Sequence, residues 1–186
     1  MRNAFELLVA VTLSAQTTDI AVNKVTKSLF IKYPDAKALS KARQSSVEKI
    51  LSTIGMFRMK ARNIIALSKI LIEKYGGDVP KDFEKLTELP GVGRKTANVV
   101  LSIYFSEQRM PVDTHVFRVA NRIGFAHKDN VEKTEEELMR TLPKTEWNNM
   151  HNAMIWHGRK VCKARKPDCK NCIIKDYCKM SRKKTS

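Results

Sequence analysis

Apolar positions recur at helical spacing along nearly the whole chain. In the first segment, Phe5, Leu8, Val9, Thr12 and Leu13 share one face at the i, i+3, i+4 spacing. The same pattern predicts helices at about residues 19–33, 47–54, 60–75, 83–88, 131–142 and 147–160, with two more that begin at residues 94 and 114. No stretch alternates apolar and polar residues between turn signals, as a half-buried strand does. The pattern therefore predicts an all-α fold.

The start of the chain raises the question of an export signal. A basic start, residues 1–3, precedes an apolar run, 5–13, and the small residues Ser14 and Ala15, which is the order found in a short signal peptide. Glu6 interrupts the apolar run, and no other feature favours export, so we predict a buried helix here. No apolar run reaches the eighteen or so residues that a membrane-spanning helix needs.

The charge of the chain points to an anionic partner. Its 186 residues carry 35 Lys and Arg against 19 Asp and Glu, a formal net charge of +16. A balance this uneven favours binding to an anionic polymer or surface. Eleven Lys and Arg against two Asp lie between Gly158 and Ser186, so +9 of the charge falls in 29 residues. A solvated tail explains the last few of these residues, but the stretch also holds every cysteine of the chain.

Those cysteines are Cys162, Cys169, Cys172 and Cys178, separated by six, two and five residues. Disulfides typically join distant parts of small secreted chains, so four cysteines this close together favour one metal site. A zinc ribbon more often shows two close pairs. The spacing predicts a metal and leaves both zinc and an iron–sulfur cluster open.

The segment 89–97, LPGVGRKTA, ends one short helix and begins the next. Glycines at 91 and 93 allow a close approach of the backbone to a ligand, and the start of the following helix forms an anion site. A helix–turn–helix corner without a ligand is the alternative, but the net charge favours a DNA phosphate, which would be bound without regard to base sequence. Gly91, Gly93 and Arg94 are therefore candidate DNA contacts.

Two further residues are candidates for catalysis. Lys95 falls in the first turn of a helix, where the positive end of the helix dipole disfavours an ammonium, and a partly deprotonated lysine acts as an amine nucleophile. Alternatively, Lys95 points into water or touches phosphate. Asp113 precedes a helix as its N-cap, a role worth about 1 kcal/mol. A carboxylate held in that way could also stabilise positive charge that develops nearby.

Together the motifs resemble the endonuclease III family of DNA repair glycosylases, members of the helix–hairpin–helix superfamily that carry an iron–sulfur cluster. The resemblance covers about residues 5–178 and rests on FELL through LSAQ (5–16), LPGVGRKTA (89–97), VDTH (112–115) and the four cysteines. It implies two helical lobes with a DNA-binding cleft between them. These would be a helical barrel domain that ends in the helix–hairpin–helix, residues 1–107, and an iron–sulfur cluster lobe, residues 108–186. The family usually begins some two dozen residues earlier, and we expect that segment to be absent here.

The resemblance also assigns DNA contacts. Gln16 matches the position that fills the gap left by a flipped nucleotide, and residues 53–56 match the loop that wedges the opposite strand. This makes Ile54 and Met56 candidate contacts. Core packing is the alternative for both, but the neighbouring Gly55 and the loop favour exposure.

A [4Fe–4S] cluster held by the four cysteines is implied as well. Lys163 and Lys166 lie in the loop after the first cysteine, so the cluster would order a basic loop that contacts DNA. The implied partner is double-stranded DNA containing damaged pyrimidines or abasic sites, bound by a monomer in the cytoplasm, at the bacterial nucleoid.

The implied activity is that of a bifunctional DNA N-glycosylase in base-excision repair. It extrudes the damaged base from the duplex, removes oxidised pyrimidines, and cuts 3′ to the abasic site by β-elimination through a lysine Schiff base. Lys95 would attack C1′ of the deoxyribose, and Asp113 would activate it and stabilise the charge. Lys95 argues against the adenine–mismatch branch, which lacks this lysine. The alternatives are a related glycosylase for a different lesion, a non-catalytic protein that binds damaged DNA, and a zinc-stabilised scaffold.

Overall fold

The computed structural model describes residues 3–182. In this part of the chain every regular element is helical and no strand is assigned. The chain divides into two compact units, Met1–Glu107 and Gln108–Ser186. The prediction of an all-α fold is confirmed, because the apolar stripes at helical spacing form the buried faces of the helices.

The first unit contains seven helices among its described residues. In chain order they are α1 Ala4–Leu13, α2 Asp19–Lys32, α3 Ala36–Ser40, α4 Gln44–Leu51, α5 Phe57–Tyr75, α6 Phe83–Thr87 and α7 Arg94–Ile103. Helix α1 packs against α2, α5 and α7, and eight of its ten residues are buried. The apolar run at the start of the chain is therefore a core helix, as predicted.

Helix α5 is the longest element of the first unit and ends where predicted. Gly76 adopts the left-handed conformation, with φ +64°, and the Gly77 amide donates to the Leu71 carbonyl at 2.9 Å. Glycine is favoured in this position because it has no Cβ to clash. At its other end α5 begins at Phe57, three residues before the predicted start.

Helix α3 was not predicted. It is only five residues long, which is too short for a periodic apolar pattern to emerge. The Asp35 carboxylate accepts a hydrogen bond from the Ala38 amide at 2.7 Å and so caps its start.

The second unit is built on α8 Thr114–Ile123, α9 Val131–Thr141 and α10 Trp147–Lys160. Two short 3₁₀ turns, Lys144–Glu146 and Lys175–Tyr177, and a last helix, α11 Lys179–Arg182, complete its described part. Helix α8 packs against α9, α10 and α11, and its Val116, Val119 and Ala120 lie in the core of the unit. Within residues 3–182, no helix combines the length and the apolar character needed to cross a bilayer.

Candidate functional site

The turn between α6 and α7 requires glycine at position 91. Leu89 and Val92 are buried on either side of the turn, and the Val92 amide donates to the Leu89 carbonyl at 3.0 Å. Gly91 has φ +81°, and a Cβ there would lie 2.9 Å from Nδ2 of Asn63 and 3.2 Å from Cγ2 of Thr12. Both the backbone conformation and the packing against α1 and α5 therefore disfavour a side chain at this position.

Gly93 has a different environment. It is the N-cap of α7, with φ −93° and ψ 176°, it makes no side-chain cap hydrogen bond, and a Cβ there would have no atom within 4 Å. Arg94 and Lys95, the first two residues of α7, are exposed, and the Arg94 guanidinium lies 5.1 Å from the centre of the Phe83 ring. An open helix start beside two cations suits a phosphate group.

Lys95 is carried by a helix that is anchored in the core. The opposite face of α7 buries Ala97, Val100 and Leu101, so the helix supports the exposed lysine rigidly. This segment brings Gly91, Gly93 and Lys95 together within five residues.

The Asp113 carboxylate caps α8, as the sequence predicts. Its Oδ1 accepts hydrogen bonds from the amides of His115 at 2.8 Å and Val116 at 2.9 Å. The side chain is half-buried. Two amide donors on one oxygen hold the carboxylate in a fixed orientation.

The candidates for insertion into DNA behave differently from one another. Gln16 lies in the turn after α1, is exposed and has φ +53°. Met56 is 43% exposed and has φ +56°. Ile54 is only 4% exposed and belongs to the core of the first unit, so the expectation that Ile54 is exposed is wrong. The turn around Gly55 directs Met56 outwards and Ile54 inwards.

All four cysteines line one cavity of the second unit. Cys162 and Cys178 are buried, and Cys169 and Cys172 are half-buried. Four thiols around one cavity fit the ligand set of a [4Fe–4S] cluster. Among residues 3–182, no three His, Cys, Asp or Glu side chains are gathered as a single metal ion would require.

Three residues around the cysteines were not foreseen from the sequence. Arg118 donates through Nε to the Cys162 carbonyl at 3.1 Å and through a terminal nitrogen to the Gly158 carbonyl at 2.9 Å. Arg122 donates to Cys162 Sγ at 3.5 Å. His157 Nε2 lies 3.7 Å from Cys172 Sγ, and burial lowers the pKa of His157. The four-residue spacing of the two arginines, which puts them on one helix face, was the available signal.

Arg122 also holds the first cysteine loop, residues 163–168. Its guanidinium donates to the carbonyls of Lys163 at 2.8 Å and Ala164 at 3.0 Å. Lys163, Arg165 and Lys166 are all exposed. Helix α8 therefore carries Asp113 at its start and holds this basic loop through its last turn.

Comparison with known proteins places the chain in a family. Residues 9–144 match the HhH-GPD superfamily base excision DNA repair protein. Endonuclease III of Rickettsia conorii is 54% identical over 95% of this chain and 84% of its own length. Endonuclease III of Escherichia coli is 47% identical over 96% of this chain and 85% of its own length.

A solved structure of a trapped endonuclease III–DNA covalent intermediate, an estranged-adenine complex, is similar along the whole chain. It superposes with a TM-score of 0.92 at 48% identity, and the match covers 100% of this chain and 88% of that one. The chain therefore belongs to the HhH-GPD superfamily of base excision DNA repair proteins and, within it, to the endonuclease III family of DNA glycosylases with abasic-site lyase activity.

Proposed function

We propose that this chain excises oxidised pyrimidines from double-stranded DNA and cuts the strand 3′ to the resulting abasic site, with Lys95 as the amine nucleophile. The observation that carries the proposal is the position of Lys95, exposed in the first turn of α7 and beside the open N-cap at Gly93. A phosphate bound at that helix start would hold the DNA backbone next to the amine.

The reaction follows from the chemistry of a primary amine. Nζ of Lys95 attacks C1′ of the extruded nucleotide, the C1′–N bond breaks, and the base leaves with the bonding electrons and takes up a proton. The nitrogen then loses a proton, and the C1′–O4′ bond breaks as O4′ takes up a proton, which opens the sugar ring and gives a protonated Schiff base at C1′. That cation acidifies the C2′ hydrogens, so removal of one of them expels the 3′ phosphate with its oxygen. Water then hydrolyses the Schiff base and regenerates the lysine.

Asp113 has the part of a fixed carboxylate in this proposal. Its Oδ1 is held by the amides of His115 and Val116, so the group need not reorganise when positive charge develops at C1′. Gln16 and Met56, both exposed in left-handed turns, are proposed to enter the duplex where the damaged nucleotide leaves. Ile54 has no such part because its side chain is buried.

We further propose that Cys162, Cys169, Cys172 and Cys178 hold a [4Fe–4S] cluster. When bound, the cluster supplies a rigid crosslink among four thiolates. The protein's own contribution is to fix the loop 163–168 through Arg122, so that Lys163 and Lys166 face solvent and neutralise DNA phosphates. Purified protein should be yellow-brown and contain iron; a colourless protein with stoichiometric zinc would contradict this assignment.

The decisive experiment traps the Schiff base. Borohydride added during turnover should join the wild-type protein covalently to DNA that contains an oxidised pyrimidine, because hydride reduces the imine to a stable amine. Lys95→Gln should form no adduct and release no base. Lys85→Gln removes an exposed lysine from α6 and is the matched control; it should trap like the wild type. An adduct with Lys95→Gln at the wild-type rate would show that another amine is the nucleophile.

Lesion class and assembly are tested separately. A panel of duplexes with oxidised-pyrimidine, oxidised-purine, mismatched and abasic sites should show excision of oxidised pyrimidines and cutting at abasic sites. We also propose that the protein acts as a monomer of 21.3 kDa on chromosomal DNA in the bacterial cytoplasm. Light scattering of the free protein and of its DNA complex measures the protein stoichiometry directly.

A further inference from the structure

Lys60 is a buried lysine in the first turn and a half of α5. Its side chain is 3% exposed, and it precedes Ile64 by four residues, on the face that also buries Leu67 and Leu71. Burial lowers the pKa of Lys60 because the charged form loses its hydration. Among residues 3–182, no carboxylate makes an ion pair with it. An apolar side chain would be less costly at this position, so the lysine needs an explanation.

The ammonium of Lys60 reaches the turn that carries Gln16. Its Nζ donates to Oγ1 of Thr17 at 2.5 Å. The Thr17 hydroxyl in turn donates to the Ala15 carbonyl at 3.2 Å, and the Thr17 amide donates to the Ser14 carbonyl at 3.0 Å. Residues on both sides of Gln16 are therefore fixed by a chain of hydrogen bonds that begins at Lys60.

The backbone of the same lysine reaches the turn that carries Met56. The Lys60 amide donates to the Met56 carbonyl at 3.0 Å, and Met56 is the N-cap of α5, with φ 56° and ψ 29°. Gln16 and Met56 are two of the four non-glycine residues with positive φ in the described part of the chain. Such conformations cost free energy and persist only where the surrounding structure enforces them.

We propose that Lys60 is a positioning residue for damage recognition: it joins the Gln16 turn, residues 14–17, to the start of α5, and so fixes the spacing between Gln16 and Met56. The inference rests on the proposed function, in which these two side chains enter the duplex. Two groups held at a fixed spacing lose little freedom on binding. They fit a duplex that already has a gap better than an intact one, so the preference for damaged DNA depends on Lys60.

Two duplexes of identical sequence test this, one undamaged and one with a tetrahydrofuran abasic analogue, which cannot form a Schiff base. The measured quantity is the dissociation constant of the undamaged duplex divided by that of the abasic duplex, both at one salt concentration. A higher ratio means a stronger preference for damaged DNA. Lys60→Met should lower this ratio roughly tenfold, as expected for the loss of one hydrogen bond from a charged donor. Lys69→Met removes the same charge from the exposed side of α5 and should leave the ratio unchanged.

Variants of Thr17 separate positioning from loss of charge. Thr17→Val removes the acceptor while Lys60 stays in place, and should lower the ratio as Lys60→Met does. Thr17→Ser keeps a hydroxyl and should restore the wild-type ratio. If Lys60→Met does not fold, the Thr17 pair carries the test, and equal ratios for Val and Ser would overturn the proposal.

A double-mutant cycle shows whether Lys60 acts through Gln16. Gln16→Ala combined with Lys60→Met should lower the ratio no further than Gln16→Ala does, because both changes disable the same group. If the fold-reduction of the ratio in the double variant equals the product of the two single fold-reductions, Lys60 does not act through Gln16. An unchanged ratio in Lys60→Met would also refute the inference. Borohydride trapping of the wild type is scored in parallel. Failure of the wild type to form an adduct contradicts the proposed function, whereas failure of the cycle contradicts only the role of Lys60.

Discussion

Replacing Gly91 or Gly93 with alanine separates the two roles of the turn between α6 and α7. At Gly91 the backbone has φ +81°, and left-handed backbone costs alanine about 1–2 kcal/mol. The added methyl carbon would also lie 2.9 Å from Asn63 Nδ2 and 3.1 Å from Asn63 Cβ, an overpacking that costs about 1–3 kcal/mol. Alanine also lowers the conformational entropy of the unfolded chain, which offsets about 0.4–1 kcal/mol of these two costs. We expect Gly91→Ala to lose about 2–4 kcal/mol of unfolding free energy.

Gly93→Ala should leave the free energy of unfolding nearly unchanged. Position 93 has φ −93°, and a methyl carbon added there would have no atom within 4 Å. Alanine is a poorer N-cap than glycine, which lowers the free energy of unfolding. Alanine also lowers the conformational entropy of the unfolded chain, which raises the free energy of unfolding by about 0.4–1 kcal/mol and offsets the weaker cap. The methyl group would stand at the start of α7, where a phosphate is proposed to bind. The slope of log affinity against log salt should then become shallower by about 0.9, the effect of one lost phosphate contact.

Urea unfolding followed by far-ultraviolet circular dichroism measures the free energy of unfolding of both variants. Fluorescence anisotropy of a labelled duplex with an abasic analogue, between about 50 and 200 mM salt, measures the slope of log affinity against log salt. If Gly93→Ala is the less stable variant, the packing argument at the turn is wrong. If Gly93→Ala binds with the wild-type salt slope, the start of α7 does not hold a phosphate.

Three further predictions concern the other candidate residues. Ile54→Ala should lose about 2–5 kcal/mol of stability by leaving a cavity, whereas Met56→Ala should stay within about 0.5 kcal/mol and instead weaken the preference for abasic over intact DNA. Replacing Lys163 and Lys166 by alanine should make the salt slope shallower by about 1.8 if each neutralises one phosphate; an unchanged slope would remove the first cysteine loop from the interface. Asp113→Asn should keep the melting temperature, because Asn also caps helices well, while the excision rate falls by about 10²–10⁴. If Asp113→Asn unfolds the protein and does not specifically lower the excision rate, Asp113 is only a helix cap.

The features predicted well from the sequence are those set by local chemistry. Each of these features depends on residues within a few positions of one another. They are the apolar helix faces, the glycine C-cap of α5, the N-cap at Asp113 and the glycine turn before α7. Their physical causes, which are apolar periodicity, capping and positive φ, can be recognised in the sequence itself.

The misses arose where tertiary contacts decide. Ile54 and Met56 flank the same glycine, and only the three-dimensional course of the chain shows that one is buried and the other exposed. Lys60 contacts Thr17 across 43 positions of sequence, although its place on the apolar stripe with Ile64 and Leu67 was a usable signal. Arg122 reaches the first cysteine loop across about 40 positions, and its four-residue spacing from Arg118 was the local signal that the two share one helix face.

The division of the chain at Glu107 has a consequence for biosynthesis. Because domains generally fold as units while the chain leaves the ribosome, the unit that contains α7 is complete before the cysteines are made. The 54 residues between Glu107 and Cys162 take about 3 to 11 s to synthesise at about 5–20 residues per second. During that interval the nascent chain already presents Lys95 and the open helix start, but none of the four thiols. The proposed cluster needs all four thiols, so its insertion has to follow the synthesis of Cys178 and comes after the segment that carries Lys95 has been made.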